Sequence, residues 1–461
     1  MTAAMLTDLL KSLGLLGAFL LIGVALRAWI KPLQKTFIPA SVIGGGLLLL
    51  LGPQVLNLLP VPSEWYSYYS LLPGVLIVPV VIATPLGLHY RKSDGNNNRE
   101  IFKNVIPLAA IGVAVALLQF AVGYGTHAAF SGSYELYDVF GLELGIGFVG
   151  GHGTAGVLGN MLSELNLPYW ESSQGVAITT ATFGLVGGIL IGIILINWAA
   201  RHRETALLTK PADIPRAMQV GFERDAAKQE SSGRETTLST SIDVIGFHAA
   251  LIFAGCGAAY LLLKLVKTLQ IPILSDISVW AYGLILMFFI WDIICRCKLD
   301  YLVDAKVKGH ITGSFTEFAV IGAVASLPVQ AVGSYLVPIL VMVAIGFVVT
   351  TLVLFFLCKK LLRGYWFEQM IGTLGMSTGV FITGVLLLRI CDPNLETPAL
   401  ASYSLSYSIN SVVYFAMLNM FIMLPMSIGA GMTAVTALGM ALICVAIAVI
   451  ASRLAFRKSK L

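Results

Sequence analysis

Residues 141–190 read GLELGIGFVGGHGTAGVLGNMLSELNLPYWESSQGVAITTATFGLVGGIL, and the first half of this stretch decides the fold. Gly147 to Gly156, GFVGGHGTAG, is too glycine-rich and too polar at its centre for a plain spanning helix, yet apolar sequence flanks it. Glycine lets the backbone leave the helical well and lets another group approach closely, so about ten residues can run in and about ten return. Ten residues at ~1.5 Å rise cover about half of a hydrocarbon core ~30 Å thick. The stretch therefore reads as a re-entrant hairpin over about 141–165 with its tip near the midplane. Open backbone is tolerated at that depth only where protein buries it or where it lines a wet cavity, which places the tip in a cavity.

Composition agrees with this setting. With 57% hydrophobic residues, 11% charged residues and a mean hydropathy of +0.87 over 461 residues, the chain is a polytopic membrane protein, not a soluble domain. Its six cysteines show no CxxC and no Cys/His ligand spacing, so neither a disulfide framework nor a resident metal is expected. The net charge of +5 does not indicate nucleic acid, because the basic residues lie in short loops between spans, where orientation accounts for them. The apolar stretch from Leu9 to Ile30 lacks a small-residue cleavage site and reads as a span, not a removed leader.

Apolar runs place spans at about 8–30, 37–58, 71–88, 104–126 and 174–197, then at 242–263, 276–295, 314–331, 334–358, 401–424 and 431–452. A second interrupted segment occupies about 367–390. Between the halves, Arg201 to Thr240 holds seven Lys/Arg and six Asp/Glu and reads as a solvated linker. With the N-terminus outside and each interrupted segment returning to its own side, 26 of the 29 basic residues fall inside, leaving Lys11, Lys264 and Lys267 outside. The inside set includes Arg91, Lys92, Lys210, Arg216, Arg389, Arg457, Lys458 and Lys460. A full crossing by either segment would destroy this bias. Cysteines at Ser172 and Thr397 are expected to face outside and inside respectively.

An offset of 225 residues aligns the halves, setting Glu143 on Glu368, Gly147 on Gly372, Gly150 on Gly375, Pro168 on Pro393 and Glu171 on Glu396. Five spans and one hairpin per half make the second half start on the opposite side, an inverted repeat. The expected architecture is all-α: a first repeat over 1–198, a cytoplasmic linker over 199–240, a second repeat over 241–425 and an extra C-terminal span with a basic tail over 426–461.

Two tips meeting at the midplane bring together Gly150, Gly151, His152, Gly153 and Thr154 with Gly375, Met376, Ser377, Thr378 and Gly379. Helices restarting at Thr154 and Thr378 would aim N–H groups at a carboxylate, while carbonyls freed where the preceding half-helices end suit Na⁺. Close helix packing through the glycines is the competing reading. His152 either bonds a substrate carboxylate, carries a proton, or stays neutral and satisfies hairpin backbone. The hydroxyls of Thr154, Ser377 and Thr378 suit either ligand. Thr179, Thr180, Thr182, Ser404, Ser408 and Asn410 form polar stripes that line the same cavity or bond between helices.

Glu143 and Glu368 open the hairpins and read as solvated helix-end carboxylates, with a gate or ion site as the alternative. Asp292 and Glu317 are expected to face protein or water. Arg389 reads as a snorkelling residue or a counter-charge to an anion. IPASVIGGG, Ile38 to Gly46, has glycines at packing spacing.

GGHGT, then ATFGLVGG (Ala181 to Gly188), with IPASVIGGG upstream, resembles the bacterial sodium/glutamate symporter family. The resemblance implies Na⁺-coupled uptake of glutamate or a similar anionic amino acid through the bacterial inner membrane; the charge count above places the C-terminus in the cytoplasm. The resemblance also implies a homodimer in lipid that moves hairpin-bearing domains against a scaffold, no cofactor besides the coupling Na⁺, and no enzymatic activity. The second half departs from the pattern: members typically carry a proline- and asparagine-containing stretch where this chain has GMSTGVFITG. A proton-coupled or exchange carrier for another organic carboxylate is the alternative within transport. An intramembrane enzyme lacks a paired acid or nucleophile beside His152, and a channel fits two opposed hairpins less well than alternating access does.

Overall fold

The computed structural model describes residues 3–36, 38–87, 95–206, 217, 220–229, 231–269, 279–392 and 397–456. Arg91, Lys92, Lys210, Arg216, Arg457, Lys458 and Lys460 of the charge count, and Pro393 and Glu396 of the repeat alignment, lie outside the described residues.

The described residues are helical, with no strand among them. The first half gives α1 (Ala3–Trp29), α2 (Lys31–Thr36), α3 (Ala40–Leu51), α4 (Ser63–Ile82), α5 (Gly95–Phe130), α6 (Leu142–Glu164) and α7 (Trp170–His202). The second gives α8 (Val244–Thr268), α9 (Val279–Arg296), α10 (Ala305–Ala325), α11 (Val329–Ser334), α12 (Leu336–Leu361), α13 (Trp366–Thr378), α14 (Phe381–Cys391) and α15 (Ala399–Ala455). Seven of these are long and apolar enough to cross a membrane, among the described residues. The chain is a multi-pass membrane protein.

The helices at Ser63–Ile82 and Ala305–Ala325 start earlier than the expected spans at 71–88 and 314–331, and two other spans take a different form. Instead of a span over 37–58, α3 has 12 residues, about 18 Å, because Pro39 precedes it and the chain turns extended at Gly52. The last two expected spans join in α15, broken only at Gly429, whose φ of 76° and ψ of 162° leave the helical well. Where the linker ends, Asp243 caps α8 by accepting from the N–H groups of Ile245 and Gly246 at 2.8 and 3.2 Å.

Glycine spacing on α1 and α3 works as a packing face, as IPASVIGGG suggests. A Cβ on Gly44 would lie 2.3 Å from the Phe19 carbonyl oxygen, and one on Gly23 would lie 2.1 Å from that of Ala40.

Contacts divide the helices into two bundles: α1–α4 with α8–α10, and α5–α7 with α12–α15. The main bridge is α6, which leaves the second bundle to lie on α4 and α10. There Gly156 fits against Pro73, and Gly74 against Asn160.

Both interrupted segments double back. A Cβ on Gly375 would come 2.7 Å from the Cα of Gly384, and one on Gly384 would come 2.3 Å from the Gly372 carbonyl oxygen, so α13 and α14 lie side by side. In α6 the break is Gly151, with φ 62° and ψ −151°. Before the break Glu143 bonds Ser173 of α7, at the break His152 bonds Thr182, and after it Gly159 fits against Gln174. The chain thus descends α7 and returns along the same turns.

Replacing Gly384 with Leu forces the two limbs apart and costs at least the ~1–3 kcal/mol typical of overpacking. The variant should lose monodispersity on heating well below the parent, whereas Gly257→Leu, with nothing within 4 Å of its Cβ position, should match it. Equal survival of both variants would contradict the side-by-side limbs.

Candidate functional site

The tips of the two doubled-back segments meet. A Cβ on Gly151 would lie 2.9 Å from Cγ1 of Val380 and 3.7 Å from the carbonyl oxygen of Gly379. Beside this junction α5, the tips and α15 enclose a cavity of about 50 Å³, room for roughly one or two waters. Gly150 and Thr154 line it from the first tip, Met376 from the second, and Tyr407, Asn410 and Tyr414 from α15. None of its lining residues is charged.

Three side chains around the junction hold buried polar atoms that have no hydrogen-bond partner. They are both amide atoms of Asn410, Oγ of Ser377 and Oε1 of Gln119. The other end of Gln119 is fully used, its Nε2 donating to the Ser377 carbonyl at 2.7 Å and to Oγ1 of Thr350 at 2.9 Å. That pair of acceptors fixes the amide's orientation and leaves Oε1 as the orphan.

A family model for the sodium/glutamate symporter matches residues 5–385, a range that contains both tips. The chain belongs to the sodium/glutamate symporter family. Members are transporters that move glutamate with Na⁺, and the match ends within α14 of this symporter-family chain. No curated protein matches the chain.

Of the residues singled out from sequence, Gly150, Thr154 and Asn410 line the cavity, while Gly151, His152, Gly153, Ser377 and Gly379 belong to the tips around it. His152 is buried, with Nε2 3.0 Å from Oγ1 of Thr182. Thr182 gives its own proton to the Ile178 carbonyl at 3.0 Å, so His152 donates from Nε2, and this partner is uncharged.

Other residues are turned elsewhere. The second limb restarts at Phe381, not at Thr378, because the break falls on Gly379. Thr378 therefore closes α13, donating to the Leu374 carbonyl at 2.8 Å, and packs on Gly188 of α7. In α6 the restart follows Gly151, two residues before Thr154. Gly375 serves limb packing, and Thr179 and Ser408 bond carbonyls of their own helices at 2.9 and 3.1 Å. Ser404 supplies the carbonyl that Ser408 bonds and, like Ser408, does not line the cavity.

The solvated reading of Glu143 and Glu368 is overturned, since their exposures are 0% and 1%. Glu143 accepts from Tyr137 and Ser173, both at 2.7 Å, and from the Gly141 N–H at 2.6 Å. Glu368 accepts from the Ala206 N–H at 2.7 Å, where the linker leaves α7. Thr397, expected to be open to solvent, is instead buried against Asp392, to which its N–H and hydroxyl donate at 2.8 and 2.6 Å. Asp292 is exposed and pairs with Arg296 at 2.7 Å, and Arg389 is half-buried.

The sequence reading missed Gln119, Thr350, Tyr407, Ser411 and Tyr414. An amide inside the apolar run at 104–126 was a usable signal, because polar groups at that depth are expensive. Tyr407, Asn410, Ser411 and Tyr414 share one helical face by their spacing of three, four and seven.

Replacing Glu143 with Ala strands three donors in a buried site, at about 1–3 kcal/mol each when unmet by water. Purified Glu143→Ala should unfold at clearly lower temperature than Ser408→Ala, and an unchanged midpoint would show that the carboxylate does not hold the hairpin base.

Proposed function

We propose that the chain carries Na⁺ together with glutamate, or a similar small anionic amino acid, into the cytoplasm by alternating access, binding both where the tips meet. The observation that carries this reading is the set of unpaired buried atoms on Asn410, Ser377 and Gln119. An unmet buried polar group costs about 1–3 kcal/mol, a cost removed when a ligand supplies the partner.

The groups divide by chemistry. Nδ2 of Asn410, the Ser377 hydroxyl and the N–H groups at the restarts after Gly151 and Gly379 suit a carboxylate. Oδ1 of Asn410, Oε1 of Gln119, the Thr154 hydroxyl and the carbonyls at the ends of the first limbs suit Na⁺. No lysine or arginine lines the cavity, so an anion alone would be uncompensated in a low dielectric. A cation bound beside it offsets that cost, which is the physical basis for symport.

A volume of about 50 Å³ does not hold an amino acid, so the tips part to admit one. In this reading the doubled-back segments are re-entrant hairpins that enter from opposite sides as parts of inverted repeats. The bundle of α5–α7 and α12–α15 moves against α1–α4 and α8–α10, which hold a homodimer in the lipid of a bacterial inner membrane. The N-terminus lies outside and the C-terminus in the cytoplasm. The bias of basic residues supports this orientation.

Labelled glutamate should accumulate in proteoliposomes under an inward Na⁺ gradient and not under an equal K⁺ gradient, at both of two pH values. No accumulation from folded protein would sink the glutamate reading and point to another carboxylate fitted by GMSTGVFITG. Because His152 is bonded to the uncharged Thr182, His152→Gln should keep the parent's pH profile; a shifted profile would favour the proton-coupled alternative. A cysteine replacing Ser133 should label from outside and one replacing Glu223 from inside, beyond the parent's own labelling, and the reverse pattern would overturn the orientation.

A further inference from the structure

A second cavity, of about 240 Å³, opens between the two bundles at the end where α7 begins. From the first bundle it is walled by Tyr66, Ser67 and Ser70 of α4 and Ser326 beyond α10, and from the second by Glu171 and Gln174 of α7. Glu171 is the one charged residue among its lining residues, and the hydroxyl of Tyr66 is buried without a partner. Among the described residues, Gln174 reaches across the crevice to the Ser70 carbonyl by a bond 3.4 Å long, so these groups are not locked to one another.

The position matters as much as the lining. Glu171, Gln174 and Ile178 follow one face of α7, and the next residue of that face is Thr182, the partner of His152 at the first tip. One helical turn, about 6 Å, separates the floor of the crevice at Ile178 from Thr182. We propose that this crevice is the approach by which the coupling cation reaches the first tip, with Glu171 drawing it in and the amide and hydroxyl oxygens relaying it. The proposal rests on the symport reading above and adds a route to it. A lone carboxylate in a narrow polar cleft raises the local concentration of monovalent cations and repels an anionic amino acid, which therefore arrives by another path.

Ser67→Cys puts a thiol on the exposed wall of the crevice. In solubilised protein, the rate of its modification by a cationic methanethiosulfonate (a trimethylammonium-ethyl reagent) is compared with that by an anionic sulfonato-ethyl reagent. Modification at this site is followed by peptide mass spectrometry, and each rate is divided by the reagent's rate with a free small thiol. The cationic reagent should be favoured roughly 3- to 10-fold, and adding Glu171→Gln should bring the ratio close to one. Equal corrected rates, or a ratio indifferent to Glu171, would overturn the proposal.

In proteoliposomes, Glu171→Gln should raise the half-saturating Na⁺ concentration severalfold and leave half-saturation for glutamate at saturating Na⁺ unchanged. A change in glutamate half-saturation alone would also overturn it. The reagent comparison needs no transport, so a parent that took up no glutamate would defeat the symport reading and leave the cation preference of the crevice to be decided by the thiol rates.

Discussion

A helix interrupted in apolar surroundings exposes N–H and C=O groups that those surroundings cannot satisfy, and the second bundle is built around that constraint. One flanking side chain meets it at a break, and three more tie the limbs at carbonyls inside them. Gln119 of α5 donates to the Ser377 carbonyl at 2.7 Å, Thr180 of α7 to that of Glu143 at 2.7 Å, and two tyrosines of α15, Tyr403 and Tyr414, to those of Phe381 and Gly145 at 2.8 and 3.1 Å. Glycines do the complementary work. Where Gly147 meets Thr180 and Gly375 meets Gly384, any side chain would keep the neighbour out of reach. The broken segments are thereby held in protein and kept from lipid.

Around the junction of the tips, Asn410, Ser377 and Gln119 keep polar atoms unsatisfied. Amides and hydroxyls can serve a cation and a carboxylate in turn, whereas a fixed lysine or arginine would hold the anion in its own right and remove the need for a partner ion. The carboxylates of the hairpins sit elsewhere: Glu143 and Glu368 are buried at the bases, where they tie each segment to the chain that precedes or flanks it. Their symmetric sequence positions carry a structural duty in both halves. Lys359 marks the same end as Glu368, pairing with Glu204 at 2.5 Å and lying 5.3 Å from the Trp366 ring centroid.

The interruption at Gly147 to Gly156 and its counterpart at Gly372 to Gly379 were legible because clustered glycine and polar residues weaken a helix in the middle of an apolar run, where lipid gives nothing back for the loss. The packing of Gly23 on Gly44 was legible from glycine spacing alone. Burial of Glu143 was not, because it depends on Tyr137 and Ser173, two side chains that the fold brings together from either side of the hairpin. The restart at Phe381 was missed because Thr378 is a good cap by type, while the backbone at Gly379 breaks one residue later. Ser404 and Ser408 look equivalent to Ser402, Ser406 and Asn410 by composition. Only the rotation of α15 decides that the latter three face inward.

The most direct test is Asn410→Leu, which keeps the branched heavy-atom skeleton, lets its bulkier methyl groups take up part of the cavity, and removes the amide that lines it with both polar atoms unpaired. If the tips and α15 form the binding site, the purified variant should be as heat-stable as the parent or more so, since an unmet buried amide is gone, and Na⁺-driven uptake should fall by two orders of magnitude or about 2.7 kcal/mol. A stable variant with unchanged uptake would contradict the account, because the best-placed unpaired group in the junction would then have no part in holding the solute or its ion.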